Sequence, residues 1–121
     1  MTGNTAPGFA KRPDYALAIA PADGRVQALF DGDVIADSAN AIAMEEANHD
    51  PIIYFPRADV RMDRLTRTDH DTFCPFKGHA SYWTIANAEN AAWSYETPYD
   101  EVLGIKDYIA FYGDKVSVKR V

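Results

Sequence analysis

Arg25-Val26-Gln27-Ala28-Leu29-Phe30-Asp31-Gly32-Asp33-Val34-Ile35-Ala36-Asp37 decides the fold class of this chain. Arg25 to Phe30 alternates, with Val26 and Ala28 on one face and Gln27 and Leu29 on the other. Val34 to Asp37 follows the Asp31-Gly32 pair. An Asp-Gly pair supplies the positive φ that a tight hairpin turn demands, so the stretch predicts two antiparallel strands joined by that turn.

The same signals recur outward from the hairpin. Upstream, Tyr15 to Ala20 is apolar and stops at Pro21, and Pro21-Ala22-Asp23-Gly24 has the residues of a turn. Residues 1–14 carry Gly3, Pro7, Gly8 and Pro13 without periodicity, which predicts a flexible arm or an edge-hugging extension. Downstream, Asn40 to Ala47 is open to helix by its Ala, Met and Glu and to strand by its alternation; the strand reading is preferred because it pairs with Pro51 to Phe55 through the polar loop Ala47–Asp50, and Pro56 ends the second strand. Arg57 to Leu65 predicts one helical turn with Val60 and Met62 or Leu65 facing in. Leu65 to Phe73 is polar for a strand and is placed at an edge. Ala80 to Ala86 and Ala91 to Glu96 alternate on either side of a turn at Asn87–Asn90. A helical turn is expected over Tyr99–Leu103, then strands over Tyr108–Tyr112 and Lys115–Val121.

About nine short strands at spacings of roughly 8–12 residues, with one or two helical turns, make an all-β chain. The architecture expected is a compact antiparallel sandwich or a barrel-like roll, in one domain over residues 15–121 behind the arm 1–14. The 121 residues are 47% hydrophobic and 25% charged, enough for a packed core. A single cysteine, Cys74, excludes an internal disulfide and a four-cysteine zinc site. No run approaches the ~18 apolar residues of a membrane span, and no signal-peptide pattern opens the chain, so a cytoplasmic protein with no membrane partner is expected. A net charge of −6 disfavours general nucleic-acid binding. Arg57, Arg61, Arg64 and Arg67 nevertheless fall within eleven residues, interleaved with Asp59 and Asp63.

The sharpest local feature is Thr72-Phe73-Cys74-Pro75-Phe76-Lys77-Gly78-His79. Pro75 suits the second position of a type I turn, and Gly78 suits the left-handed position that closes a three-residue hairpin loop. Lys77 at a rigid turn tip could meet an anion with its ammonium and nearby backbone amides. His79 could move a proton near neutral pH. Cys74 could act as a nucleophile only where a neighbour lowers its pKa, and Lys77 and His79 are the candidates. Cys74, His79, His70 and His49 have no specific zinc spacing, so no metal is expected. Glu45 and Glu46 are adjacent, so a strand points them to opposite faces, and one of them can point inward. Tyr82 and Trp83 are opposed in the same way, so one is expected to look away from the core toward a ligand, a loop or a second subunit. No phosphate-binding loop, dinucleotide glycine pattern, nucleophile elbow or metalloprotease motif is present, and no cofactor is expected.

Three runs together resemble a known family. They are Tyr54-Phe55-Pro56-Arg57-Ala58-Asp59-Val60, then Thr72-Phe73-Cys74-Pro75-Phe76-Lys77-Gly78-His79-Ala80-Ser81-Tyr82-Trp83, then Ala92-Trp93-Ser94-Tyr95. With Phe30–Ser38 and Ile109–Tyr112 they are similar to domain-of-unknown-function family 427, over roughly Arg25 to Val118. The resemblance implies a compact β-rich domain, found alone or in tandem and sometimes labelled nucleotidyltransferase-like. It brings no catalytic residues. The Gly-Ser motif and paired magnesium-binding aspartates of common nucleotidyltransferases have no counterpart here.

Two functional expectations follow. One is a site for a small anionic molecule around the Cys-Pro-Phe-Lys-Gly turn, using Arg57, Lys77, His79 and Cys74, with Tyr82 or Trp83 as an apolar wall. The other is a non-enzymatic interaction module or homodimer, paired through the edge strand Leu65–Phe73 and the outward aromatics. Whether the chain is an enzyme is left open by its residues.

Overall fold

A computed structural model describes residues 4–47 and 49–121. Among these residues it is mostly β, with ten strands and only short helical pieces. The strands are β1 (Leu17–Pro21), β2 (Val26–Phe30), β3 (Asp33–Ser38), β4 (Ile42–Glu46), β5 (Ile52–Tyr54), β6 (Leu65–Cys74), β7 (Gly78–Ile85), β8 (Ala88–Ser94), β9 (Ala110–Phe111) and β10 (Ser117–Arg120). They form three antiparallel sheets, ordered β1-β4-β5, β10-β2-β3 and β6-β7-β8-β9, and these do not close into a barrel.

The Asp-Gly hairpin forms as expected. Phe30 pairs with Asp33, and Asp31 and Gly32 take φ of 51° and 84°. The pairing of β4 with β5 is also as expected, with Ile42 opposite Tyr54. Asn48, in the loop expected over Ala47–Asp50, lies outside the described residues. Leu65 to Cys74 is an edge strand, bulged between Arg67 and Asp71. The expected helical turn after Arg57 is two 3₁₀ turns, Arg57–Asp59 and Met62–Arg64. A third, Asp100–Ile105, runs two residues past the Leu103 end expected for it.

Two expectations need correction. The turn expected at Asn87–Asn90 sits at Ala86-Asn87, because Ile85 pairs with Ala88 and Ala86 accepts a φ of 51°. More important, neither Tyr82 nor Trp83 looks away from the core: they are 6% and 4% exposed. The four-stranded sheet is covered on both faces. One face gives Trp83, Ile85, Ala92 and Phe111 to a core shared with Val26, Ala28 and Ile35 of the β2–β3 hairpin. The other gives Ala80, Tyr82, Trp93 and Ala110 to a second core with Met44, Tyr54, Val102 and Ile105. Strand alternation divides the two sets, so adjacent aromatics enter different cores.

The described part of the arm packs against the body. The Asn4 and Ala6 amides donate to Asp100 and Glu101 at the start of the third 3₁₀ turn, at 2.7 and 2.9 Å. A four-residue helix, α1 (Gly8–Lys11), lies on the turn between β6 and β7. Residues 1–3 lie outside the described residues.

Candidate functional site

The β6–β7 hairpin builds the site. Cys74 pairs with Gly78, leaving Pro75-Phe76-Lys77 as a three-residue loop, closed by the Lys77 amide donating to the Cys74 carbonyl at 3.2 Å. Gly78 has a φ of +117°, and a Cβ there would stand 3.3 Å from the Thr97 carbonyl oxygen, so the position favours glycine twice over.

Lys77 does not present its ammonium to solvent at the tip. Its side chain folds inward past the Tyr95 ring, with Nζ 5.9 Å from the ring centroid, and donates to Glu46 Oε1 at 2.8 Å. The two side chains are only 11% and 10% exposed. Glu46 is the inward member of the adjacent glutamate pair, while Glu45 is exposed. Its second oxygen accepts a short hydrogen bond from the Tyr15 hydroxyl. Burial pushes the Glu46 carboxyl up, but the bonds from Lys77 and Tyr15 outweigh it and leave the group below its ordinary value. Burial and the bond to Glu46 push the Tyr15 phenol up to about 12. Lys77, Glu46 and Tyr15 thus tie together the turn, β4 and the residue that follows the arm.

Phe76 carries the arm on its ring. Tyr15 stacks on it at 4.0 Å between centroids and Phe9 meets it edge-on at 5.0 Å. The Gly8 amide donates to the Pro75 carbonyl at 2.9 Å, and a Cβ on Gly8 would lie 2.7 Å from Phe76 Cε1. Beside this contact lies a cleft of about 380 Å³, lined by Phe73, Pro75 and Phe76 from the hairpin and Pro7, Gly8, Lys11 and Arg12 from the arm. Among the described residues, neither Lys11 nor Arg12 forms an ion pair. The Arg12 guanidinium lies 5.7 Å from the Tyr15 ring centroid.

A second charged group lies on the opposite face of the four-stranded sheet. Arg57 and Arg67 hold their guanidinium carbons 5.1 and 5.2 Å from the Trp83 ring centroid. Both donate to Glu96, Arg67 at 2.7 Å to Oε1 and Arg57 at 3.2 Å to Oε2. Arg57 also reaches Ser94 and the Asp107 carbonyl, and Arg67 reaches Ser81. The bond from Arg67 is the chief reason that the Glu96 carboxyl sits below its ordinary value.

The six residues singled out from the sequence therefore fall into two groups. Tyr82 belongs to the core that contains Met44, Cys74 packs against that core, and Lys77 is bonded to Glu46 of the same strand as Met44. Arg57 and Trp83 belong to the other face, where strand register also places His79. His79 is exposed, its ring 5.0 Å from Phe73. Cys74 is a free, half-buried thiol. Among the described residues, no three His, Cys, Asp or Glu side chains converge to hold a metal ion, and no helix is long and apolar enough to cross a membrane.

A family model described as a domain of unknown function, DUF427, matches residues 18–121. The chain belongs to the DUF427 family. No curated protein matches it. The match begins after α1, so Lys11 and Arg12 lie outside the matched segment of this DUF427 chain, while the turn and Glu46 lie inside it. Sequence reasoning found the turn but not the arm's part in the cleft. Tyr15, Lys11 and Arg12 reach the turn across some sixty residues of chain, and no local pattern signals such a contact.

Proposed function

We propose that this DUF427 domain binds a small amphipathic anion, a carboxylate or phosphate with a hydrocarbon body, in the cleft between α1 and the Cys74–Gly78 turn. The observation that carries this reading is the composition of that cleft. Its floor is Phe73, Pro75 and Phe76, and its two charged lining residues, Lys11 and Arg12, are both cationic and have no acid partner among the described residues. At about 380 Å³ it lies within the range of small-molecule sites, which are mostly apolar with a few polar groups that orient the ligand. The cations that suggested an anion from sequence, Lys77 and Arg57, are already engaged by Glu46 and Glu96. The charge for the ligand comes from the arm instead.

Thermal shift and calorimetry with octanoate, phenyl phosphate and acetate test this. Octanoate or phenyl phosphate at ~100 times its dissociation constant should raise stability by about 2.7 kcal/mol. The gain should disappear in Lys11→Ala/Arg12→Ala and persist in Arg67→Ala. Acetate, lacking a body, should give little. No gain from any amphipathic anion, or an undiminished gain in the double variant, overturns the proposal.

The exposed Phe73 on edge strand β6 supports a second reading, pairing with another protein or a second copy. Against it, the edge carries Arg67, Asp69, His70 and Asp71 and a bulge, devices that discourage strand addition. A concentration-independent monomer mass by light scattering would remove self-association.

A further inference from the structure

A larger cleft, of about 480 Å³, lies away from the turn, between β5 and the link from β9 to β10. Its walls include Ile52 and Ile53 on one side and Trp93, Phe111 and Tyr112 on the other, with the exposed His49 and Asp50 beside them. The aromatic wall is held in place. Trp93 Nε1 donates to the buried Tyr54 hydroxyl at 3.4 Å, and Tyr112 packs on Trp93 at 4.5 Å between centroids. The Tyr112 hydroxyl lies 3.5 Å from that of Tyr82, which is 2.8 Å from Thr72 Oγ1. Among the described residues no lysine or arginine lines the cleft, and Lys115, two residues after Gly113 of the wall, donates to the Glu89 carbonyl at 2.8 Å. Among the described residues the lining holds one acidic side chain, Asp50, and Asp114 follows Gly113 of the wall.

We propose that this cleft is a site for a small organic ammonium ion, seated against Trp93 and Tyr112 with Asp50 as its counter-charge. Aromatic faces attract cations through the ring quadrupole, most strongly for tryptophan, and a quaternary or primary ammonium with an apolar body also suits Ile52 and Ile53. Asp50 supplies charge complementarity that an anion would meet as repulsion. The site is independent of the anion cleft at the turn.

Calorimetric titration of choline and phenethylammonium into the protein tests this, with 3,3-dimethylbutan-1-ol as the uncharged isostere of choline. Saturable binding of either cation is expected, with the alcohol at least about fivefold weaker than choline. Asp50→Asn, at an exposed position that leaves the fold intact, should weaken the cations several-fold and the alcohol hardly at all. Tyr112→Leu keeps an apolar wall and should narrow the preference for choline over the alcohol, leaving the part that Trp93 and Asp50 supply. Lys11→Ala/Arg12→Ala should leave cation binding unchanged. Absence of saturable binding, equal affinity for choline and the alcohol, or indifference to both Asp50→Asn and Tyr112→Leu overturns the proposal.

Discussion

Two ion-pair clusters flank the four-stranded sheet, and they differ in what water can reach. Around Lys77 and Glu46 the side chains are 11% and 10% exposed, with the Tyr15 hydroxyl bonded to Glu46 and the Tyr95 ring beside Lys77. Around Arg57, Arg67 and Glu96 the corresponding figures are 31%, 54% and 28%. The chemistry is the same, cation to carboxylate, but the consequences are not. In the enclosed pair each charge has given up its hydration and depends on the other. In the open cluster water can replace a missing partner, and salt screens the attraction. A lysine at a turn tip can therefore be a structural tie, whereas Lys11 and Arg12 on the arm have no acid partner among the described residues.

The comparison breaks most visibly at Lys77. Lys77→Ala leaves Glu46 enclosed without its cation and should cost about 3–5 kcal/mol, read as a lower midpoint in urea unfolding. Acid sharpens the same contrast. The folded-state pKa of Glu46 lies below its ordinary value of 4.5, so its contribution is complete above that value and lost as pH falls through the folded value. Glu46→Gln should be less stable than the parent at pH 7 and should lose less stability on acidification, as followed by circular dichroism from pH 7 to 3.

Gly78→Ala should destabilise by more than ~1 kcal/mol, through its positive φ and the Thr97 carbonyl. Arg67→Ala opens the exposed cluster and should cost no more than about 1 kcal/mol, less still in high salt. Lys11→Ala/Arg12→Ala touches no ion pair and should change stability by no more than about 0.5 kcal/mol while removing anion binding.

What was legible in the sequence follows the range of each interaction. The Asp31-Gly32 hairpin, the polar edge strand and the glycine-closed turn are local patterns of backbone chemistry and alternation, and they appear as read. Alternation also gave the inward glutamate, although only the fold shows that Glu46 is the one and that Lys77 is its partner. The outward aromatic was misread because alternation says that Tyr82 and Trp83 part company, not that both faces are covered. That cover comes from β4–β5 on one side and the β2–β3 hairpin on the other, both distant in sequence. The arm's partners were illegible for the same reason. Its helix is one turn long, and what holds the arm is Pro75, Phe76, Asp100 and Glu101, far along the chain.

The claim that Lys77 serves Glu46 rather than a ligand is tested most directly by a double-mutant cycle of Lys77→Met and Glu46→Gln, measured by urea unfolding at pH 7. The account predicts that the double variant is more stable than the two single losses sum to, with a coupling above about 1 kcal/mol. Losses that add to within about 0.5 kcal/mol would contradict it and return Lys77 to the list of groups available to a ligand.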